Sequence, residues 1–282
     1  MPTAEFELLS DRLDTETSVT NRRFSGLARL YGNLGAARIQ AAHVVVVGLG
    51  GVGSWAAEAA ARSGVARLTL VDLDHIAESN INRQVHALHG TLGQSKVQAM
   101  RERILQINAN CNVVCVEEFV DAENWPDVVS CDLLGNRERV AIIDACDQVK
   151  AKTAMAAWAI EEKMHFISVG AAGGKRHAHM VNIDDLSQVT HDPLLAQLRY
   201  RLRKLHAGAR SGPIKIACVF SRESVVRPAV AALAETANIK ITAEPLLQSD
   251  SSLNCHGYGS VVSVTATFGM CAASWVLNKI AG

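Results

Sequence analysis

The sequence predicts an α/β protein: a doubly wound, mostly parallel sheet with helices on both faces and a small C-terminal extension. Two patterns predict it. Short apolar runs alternate with longer helix-like segments, the order that builds crossover units. In addition, Val44, Val45, Val46 and Val47 are consecutive, as in a strand buried on both faces of a parallel sheet.

Strands are expected at 43–48, 67–72, 112–117, 140–144, 166–171 and 177–183, and helices at 52–63, 95–107, 148–163 and 194–206. The valine strand ends in a glycine turn, Gly48, Gly50, Gly51 and Gly53, and the alanine-rich stretch from Trp55 to Arg62 favours a helix. Leu68, Thr69, Leu70 and Val71 form the second strand, with Asp72 at its tip. Val140 to Ile143 is an apolar strand closed by Asp144, and Cys218 sits in a further apolar strand. Leu198, Leu202 and Leu205 recur at helical spacing. Ser260 to Asn278 carries no charge, but its serines, threonines and glycine make it a poor bilayer span; a strand followed by a buried helix is expected.

Strand, glycine turn and helix together make a Rossmann-like phosphate cradle. The glycines let backbone N–H groups approach an anion, and the helix N-terminus adds its positive dipole end. Asp72 is placed to accept hydrogen bonds from a ribose hydroxyl. Arg83 and Lys96 follow, a planar fork and a point charge suited to phosphate oxygens. A nicotinamide dehydrogenase would explain the glycine turn and Asp72 but has no use for this pair. An enzyme whose substrate attacks an α-phosphate does, because charge builds on the phosphoryl oxygens and on the pyrophosphate leaving group. Either Asp144 or Asp147 belongs at the carboxyl edge of the sheet.

Gly48-x-Gly50-Gly51-x-Gly53-Ser54, Asp72-x-Asp74, Ser79-Asn80-x-Asn82-Arg83-Gln84, Gly93-x-x-Lys96 and Asp144-x-x-Asp147 resemble the adenylation domain of ubiquitin-activating-type (E1-like) enzymes. The resemblance implies ATP and Mg²⁺ as cofactors. It places Asp147 on Mg²⁺ and ATP, Arg83 and Lys96 on the triphosphate, and Asn82 and Gln84 along the same pocket, with the glycines, Asp72 and Asp74 completing the nucleotide site. The segment from Arg23 to Gly32 departs from the R-Y-x-R-Q opening of sulfur-carrier activators, with Gly26 where those enzymes have an arginine. It is similar instead to the bacterial E1-like branch that dehydrates threonylcarbamoyladenosine in tRNA. So are Ile216 to Ser221 and Val264 to Gly269. The implied reaction is attack of the modification's carboxylate on ATP, then ring closure by a neighbouring nucleophile, most simply a carbamoyl nitrogen, with net loss of water. The resemblance also implies a homodimer and allows a sulfurtransferase or desulfurase-system partner. An activator of a ubiquitin-like sulfur carrier is the alternative; many such activators carry two C-x-x-C pairs, which this chain lacks.

Composition bounds these readings. The 282 residues, 49% of them hydrophobic, suffice for a large core. With 28 basic and 28 acidic residues, bulk charge does not hold the chain to nucleic acid, though a local patch remains open. Arg199, Arg201, Arg203 and Lys204, with Arg210 beyond them, form such a patch; it reads as a strip for tRNA phosphates, as a solvated helix face, or as both. The seven cysteines are irregularly spaced and support neither a disulfide framework nor a tetrathiolate zinc site. Cys146 reads as packing, and Cys255 as structural with a smaller claim to a role in the cleft. The acidic N-terminus has no secretory core, so a cytoplasmic enzyme without stable membrane insertion is expected. Residues 1–20 are expected to be poorly ordered, and 21–282 to form one ATP-binding domain with 190–215 as a basic helical and loop insertion.

Overall fold

The computed structural model describes residues 3–129, 133–205, 211–226 and 258–282, with side chains from residue 22 onward. Cys131, Arg210 and Cys255 lie outside the described residues.

Helix α1 (Thr3–Gln40) leads into β1 (His43–Val47), α2 (Gly53–Arg62), β2 (Arg67–Val71), α3 (Lys96–Ile107), β3 (Asn112–Val116), β4 (Val140–Asp144), α4 (Val149–Glu162), β5 (His165–Val169), β6 (Val181–Asp185), α5 (Pro193–Leu205), β7 (Ala217–Ser221) and α6 (Val262–Ala281). Among the described residues the strands form one sheet in the order β3-β2-β1-β4-β5-β7-β6. All neighbours are parallel except β6, which runs antiparallel to β7.

The valine run explains the layering. Successive side chains of a strand point to opposite faces, and Val44 and Val46 enter one core while Val45 and Val47 enter the other. The first core is closed by α1, α2, α3 and α6, the second by α4 and α5. Positions 44–47 of β1 are therefore closed to polar side chains on either face.

Chain order reverses at β1 and β4: β2 and β3 extend the sheet to one side, β5, β7 and β6 to the other. This is the switch point at which open α/β sheets bind ligands, beyond the carboxyl ends of the strands. Register aligns those ends, with Val47 opposite both Val71 and Asp144. The ladder runs one step further, through Gly48 N–H to Val71 C=O at 2.8 Å and Ala145 N–H to Val47 C=O at 2.8 Å. The two loops that matter thus leave the sheet side by side.

Two expectations are corrected, and one element is added. The segment 260–278 is not a strand followed by a helix, because α6 is helical from Val262. Its β-branched residues favour a strand locally, but Val264, Phe268, Ala272 and Val276 make a buried stripe against α2, and that tertiary contact prevails. Gly269 permits the approach, since a Cβ there would lie 2.4 Å from the Val52 carbonyl oxygen. The strand expected at 177–183 starts later: a 3₁₀ turn at Ala178–Met180 precedes β6. Helix α1 is an element that the sequence reading does not place; Gly32, at φ 71°, interrupts its regularity. Among the described residues no helix is long and apolar enough to cross a membrane.

Candidate functional site

The glycine turn is fixed by close approach. Gly48 has φ +86°, and a Cβ there would meet the Ala145 carbonyl oxygen at 2.9 Å. A Cβ on Gly53 would lie 1.8 Å from the Gly48 oxygen. Only glycine fits either position. Gly50 faces open space instead, where a ligand can approach the backbone.

Arg83 covers the turn. A Cβ on Gly51 would lie 3.0 Å from its Cγ, so the arginine stem rests directly on the glycine. Its guanidinium donates to the Ser79 carbonyl oxygen at 2.7 Å and to Asn82 Oδ1 at 3.0 Å. Trp55 Nε1–H in turn donates to the Arg83 carbonyl oxygen at 2.9 Å, tying its backbone to α2. Burial lowers the Arg83 pKa, yet a guanidinium stays charged at neutral pH. The result is a fixed cation beside the cradle.

On the other side stand Asp72, Asp74 and Lys96. Asp72 accepts from Leu49 N–H at 2.6 Å and from Asp74 N–H at 2.9 Å, which locks the cradle to the end of β2. Burial raises the Asp72 pKa, against the opposing pull of Lys96 and these two N–H groups. Lys96, the first residue of α3, places Nζ 2.5 Å from Asp74 and 3.6 Å from Asp72. Its ammonium is buried, whereas the Asp74 side chain is 58% exposed.

Beyond β4 the two aspartates separate. Asp144 and Lys152 form an ion pair at 2.9 Å with both side chains fully buried. Ser168 Oγ–H donates to the same carboxylate at 2.6 Å, and Lys152 also donates to the Val169 carbonyl oxygen at 2.8 Å. Burial alone would push the Lys152 ammonium down, but Asp144 beside it holds it above its ordinary value. Asp147, three residues on, is half-buried in the loop that leads to α4.

Between residues 78–83 and 258–260 lies an open groove of about 730 Å³. Asn82 and Arg83 line it, with Glu78, Tyr258 and Ser260. Asn82 Nδ2–H donates to the Ser260 carbonyl oxygen at 3.0 Å, joining the two walls. Gln84 does not line this groove; it is buried, and its Oε1 has no partner among the described residues.

A model of the ThiF family matches residues 22–282. The chain belongs to the ThiF family. It is 39% identical over 261 residues to the tRNA threonylcarbamoyladenosine dehydratase of Escherichia coli K12, covering 92% of this chain and 93% of that protein. The Haemophilus influenzae protein of the same name is 38% identical, again over 92% and 93%. The crystal structure of the E. coli dehydratase in complex with ATP matches with a TM-score of 0.77 at 37% identity, over 92% of this chain and 94% of that one. The E1-like resemblance read from the sequence is thereby borne out.

In this ThiF-family chain the donor set suits a magnesium ion that arrives with a triphosphate. Among the described residues no three His, Cys, Asp or Glu side chains converge on one point. Mg²⁺ is commonly held by one or two carboxylates plus substrate phosphates. Lys152 closes off Asp144, which leaves Asp147 as the accessible carboxylate beyond β4. Cys146, between the two, donates its thiol to Asp144 Oδ1 at 3.1 Å. Burial and the Asp144 charge push its pKa up, which disfavours the thiolate that a nucleophile needs.

The basic residues of α5 lie elsewhere. Asp192 anchors the start of α5 beside the end of β5 by accepting from Ala171 N–H at 2.9 Å. The helix then runs back toward the start of β7, at the opposite edge of the sheet. Arg199 donates to the carbonyl oxygens of Leu186 and Val189 at 3.0 and 2.8 Å, so its guanidinium holds a loop. Lys204 sits over the Tyr200 ring, 5.5 Å from its centroid. Arg201 and Arg203 are half-buried, and Arg203 Nε is enclosed without a partner among the described residues.

Sequence reasoning missed Trp55, Lys152, Ser168 and Tyr258. A tryptophan and a lysine inside alanine-rich helices were the available signals; Ser168 and Tyr258 carry none.

Proposed function

We propose that this chain is an ATP-dependent dehydratase that adenylates the carboxylate of threonylcarbamoyladenosine in tRNA and promotes its cyclisation with loss of water, releasing AMP and pyrophosphate. The observation that carries this reading is the seating of Arg83 on Gly51 of the cradle, in a chain similar over 92% of its length to the named dehydratases. Arg83 and Lys96 stabilise the charge that develops on the phosphoryl oxygens and on the leaving pyrophosphate. Lys96 exchanges its exposed partner Asp74 for phosphate, while Asp72 keeps the cradle and the ribose in register. Asp147 would hold Mg²⁺, which would supply charge neutralisation to the triphosphate. Gln84 supports the wall behind Arg83.

The carboxylate has no leaving group of its own; transfer to the α-phosphate creates one. A carbamoyl nitrogen of the same modification then attacks the activated carbonyl and expels AMP, which carries away the lost oxygen. Closure within one molecule asks the protein mainly to orient the group and exclude water. No enzyme thiol is required, in keeping with the raised pKa of Cys146. In this reading the enzyme works in the cytoplasm as a homodimer, with a sulfurtransferase or desulfurase-system protein as a further partner.

Nucleoside mass spectrometry tests the proposal. Threonylcarbamoyl-bearing tRNA incubated with protein, ATP and Mg²⁺ is expected to lose one water per modified nucleoside, and Arg83→Ala to abolish the loss. An unchanged mass with competent tRNA rejects it in favour of carrier-protein adenylation at the same site.

A further inference from the structure

Loop 170–177, between β5 and β6, is built to hold a fixed shape. A Cβ on Gly170 would lie 2.0 Å from Asp192 Oδ2, and Gly174 has φ +71°. Lys175 is buried, and its ammonium donates to the carbonyl oxygens of His191 and Glu223. The Glu223 carboxylate accepts from Arg176 N–H at 2.9 Å and from His177 N–H at 2.9 Å. The carboxylates packed against this loop, Asp192 and Glu223, are thus engaged by its backbone N–H groups. What remains outward is basic: Arg176, His177, His179 and Arg222 are all exposed.

These four form one patch. The His177 and His179 rings lie 5.6 Å apart, and Arg222 N–H donates to the Met180 carbonyl oxygen. Neither arginine's guanidinium has a hydrogen-bond or ion-pair partner among the described residues, in contrast to Arg199 on α5. The patch also borders the groove. Gly174 N–H donates to the Gly259 carbonyl oxygen at 2.8 Å, and Tyr258 packs over Gly173 and Gly174 while lining the groove beside Arg83.

Resting on the dehydratase reading, we infer that the tRNA backbone docks on Arg176, His177, His179 and Arg222, presenting its modified adenosine to the Tyr258 groove. These side chains share the carboxyl edge of the sheet with the cradle, so phosphates and the reacting carboxylate are met on one face. A rigid loop with its cations pointing outward pays little conformational entropy on binding. The tyrosine ring supplies a stacking surface for an unstacked base. The α5 cations, directed toward the other edge, take no part.

The test compares Arg176→Gln/Arg222→Gln with Arg201→Gln/Lys204→Gln, reading tRNA affinity against salt by fluorescence anisotropy and ATP affinity by calorimetry. In the first variant tRNA affinity is expected to fall about tenfold or more near 100 mM salt, with the salt slope shallower by about 2, roughly one for each phosphate no longer neutralised. ATP affinity stays at the wild-type value, and the α5 variant stays within about twofold for tRNA. If the double variant fails to fold, Arg222→Gln alone is expected to reduce the slope by about 1. A patch variant that binds tRNA like wild type, or an α5 variant that loses as much, overturns the assignment, as does a wild type that binds no tRNA. A wild type that binds tRNA through this patch but leaves the nucleoside mass unchanged overturns the dehydratase reading and not the surface.

Discussion

Two lysine–aspartate pairs flank the carboxyl edge of the sheet, and they behave as opposites. Lys152 and Asp144 are both fully buried, and Ser168 and the Val169 carbonyl oxygen complete the enclosure. Lys96 is also buried, but its partner Asp74 is 58% exposed. The closed pair offers nothing to a ligand and fixes the end of β4 to α4 and β5. The open pair holds a cation in place, and in the proposed reaction it surrenders its outer carboxylate when a phosphate arrives. Burial of the partner, not of the lysine, separates structure from chemistry here.

The largest effect should come from breaking the closed pair. Lys152→Met leaves the buried Asp144 carboxylate without its counter-charge, at a cost of about 3–5 kcal/mol. Denaturant unfolding should show this as a lower midpoint, and a stability within error of wild type would erase the distinction. Lys96→Ala should do the reverse: a loss of about 10²–10³ in turnover, as for removal of one transition-state donor, with the midpoint nearly kept. A midpoint as low as that of Lys152→Met would make the open pair structural too.

Acid should sharpen the same contrast between buried and exposed groups. Burial pulls the His43 and His86 imidazoles down to about 4, with nearby cations adding to the effect. The unfolded chain, whose histidines titrate near 6.5, therefore binds more protons between about pH 6.5 and 4. The contribution is complete above that window and is lost as pH falls through it, on the order of 3 kcal/mol for each histidine. Thermal unfolding across the window should show the fall, and His43→Gln with His86→Gln should flatten it. The smallest effect belongs to Asp147→Asn: about tenfold in turnover, relieved by raised Mg²⁺, with stability kept. Asp144→Asn should lose stability instead.

How much of this was legible in the sequence follows the range of the physics involved. The glycine cradle was legible because its constraints are local: Gly48, Gly53 and Asp72 lie within one strand–turn–helix–strand unit. The sheet was legible from its valine and leucine runs. The choice between Asp144 and Asp147 was not settled by the chain's own pattern, because Lys152 and Ser168 reach Asp144 from a helix and from the next strand. The residues that open α6 hid the start of their helix because Val262, Val264, Thr265 and Thr267 favour a strand until α2 is packed against them. The basic residues of α5 were legible as a cluster, but their direction depends on where Asp192 anchors the helix. The pattern identified the cations and not the edge of the sheet that they face.

The most direct test of the central claim follows the oxygen that is lost. The carboxylate of the threonylcarbamoyl group is labelled with ¹⁸O, the tRNA is turned over with ATP, and the phosphorus products are separated and weighed. Attack on the α-phosphate predicts one ¹⁸O in each AMP and none in pyrophosphate. Label in inorganic phosphate, or unlabelled AMP with the label in water, would contradict adenylation at this cradle.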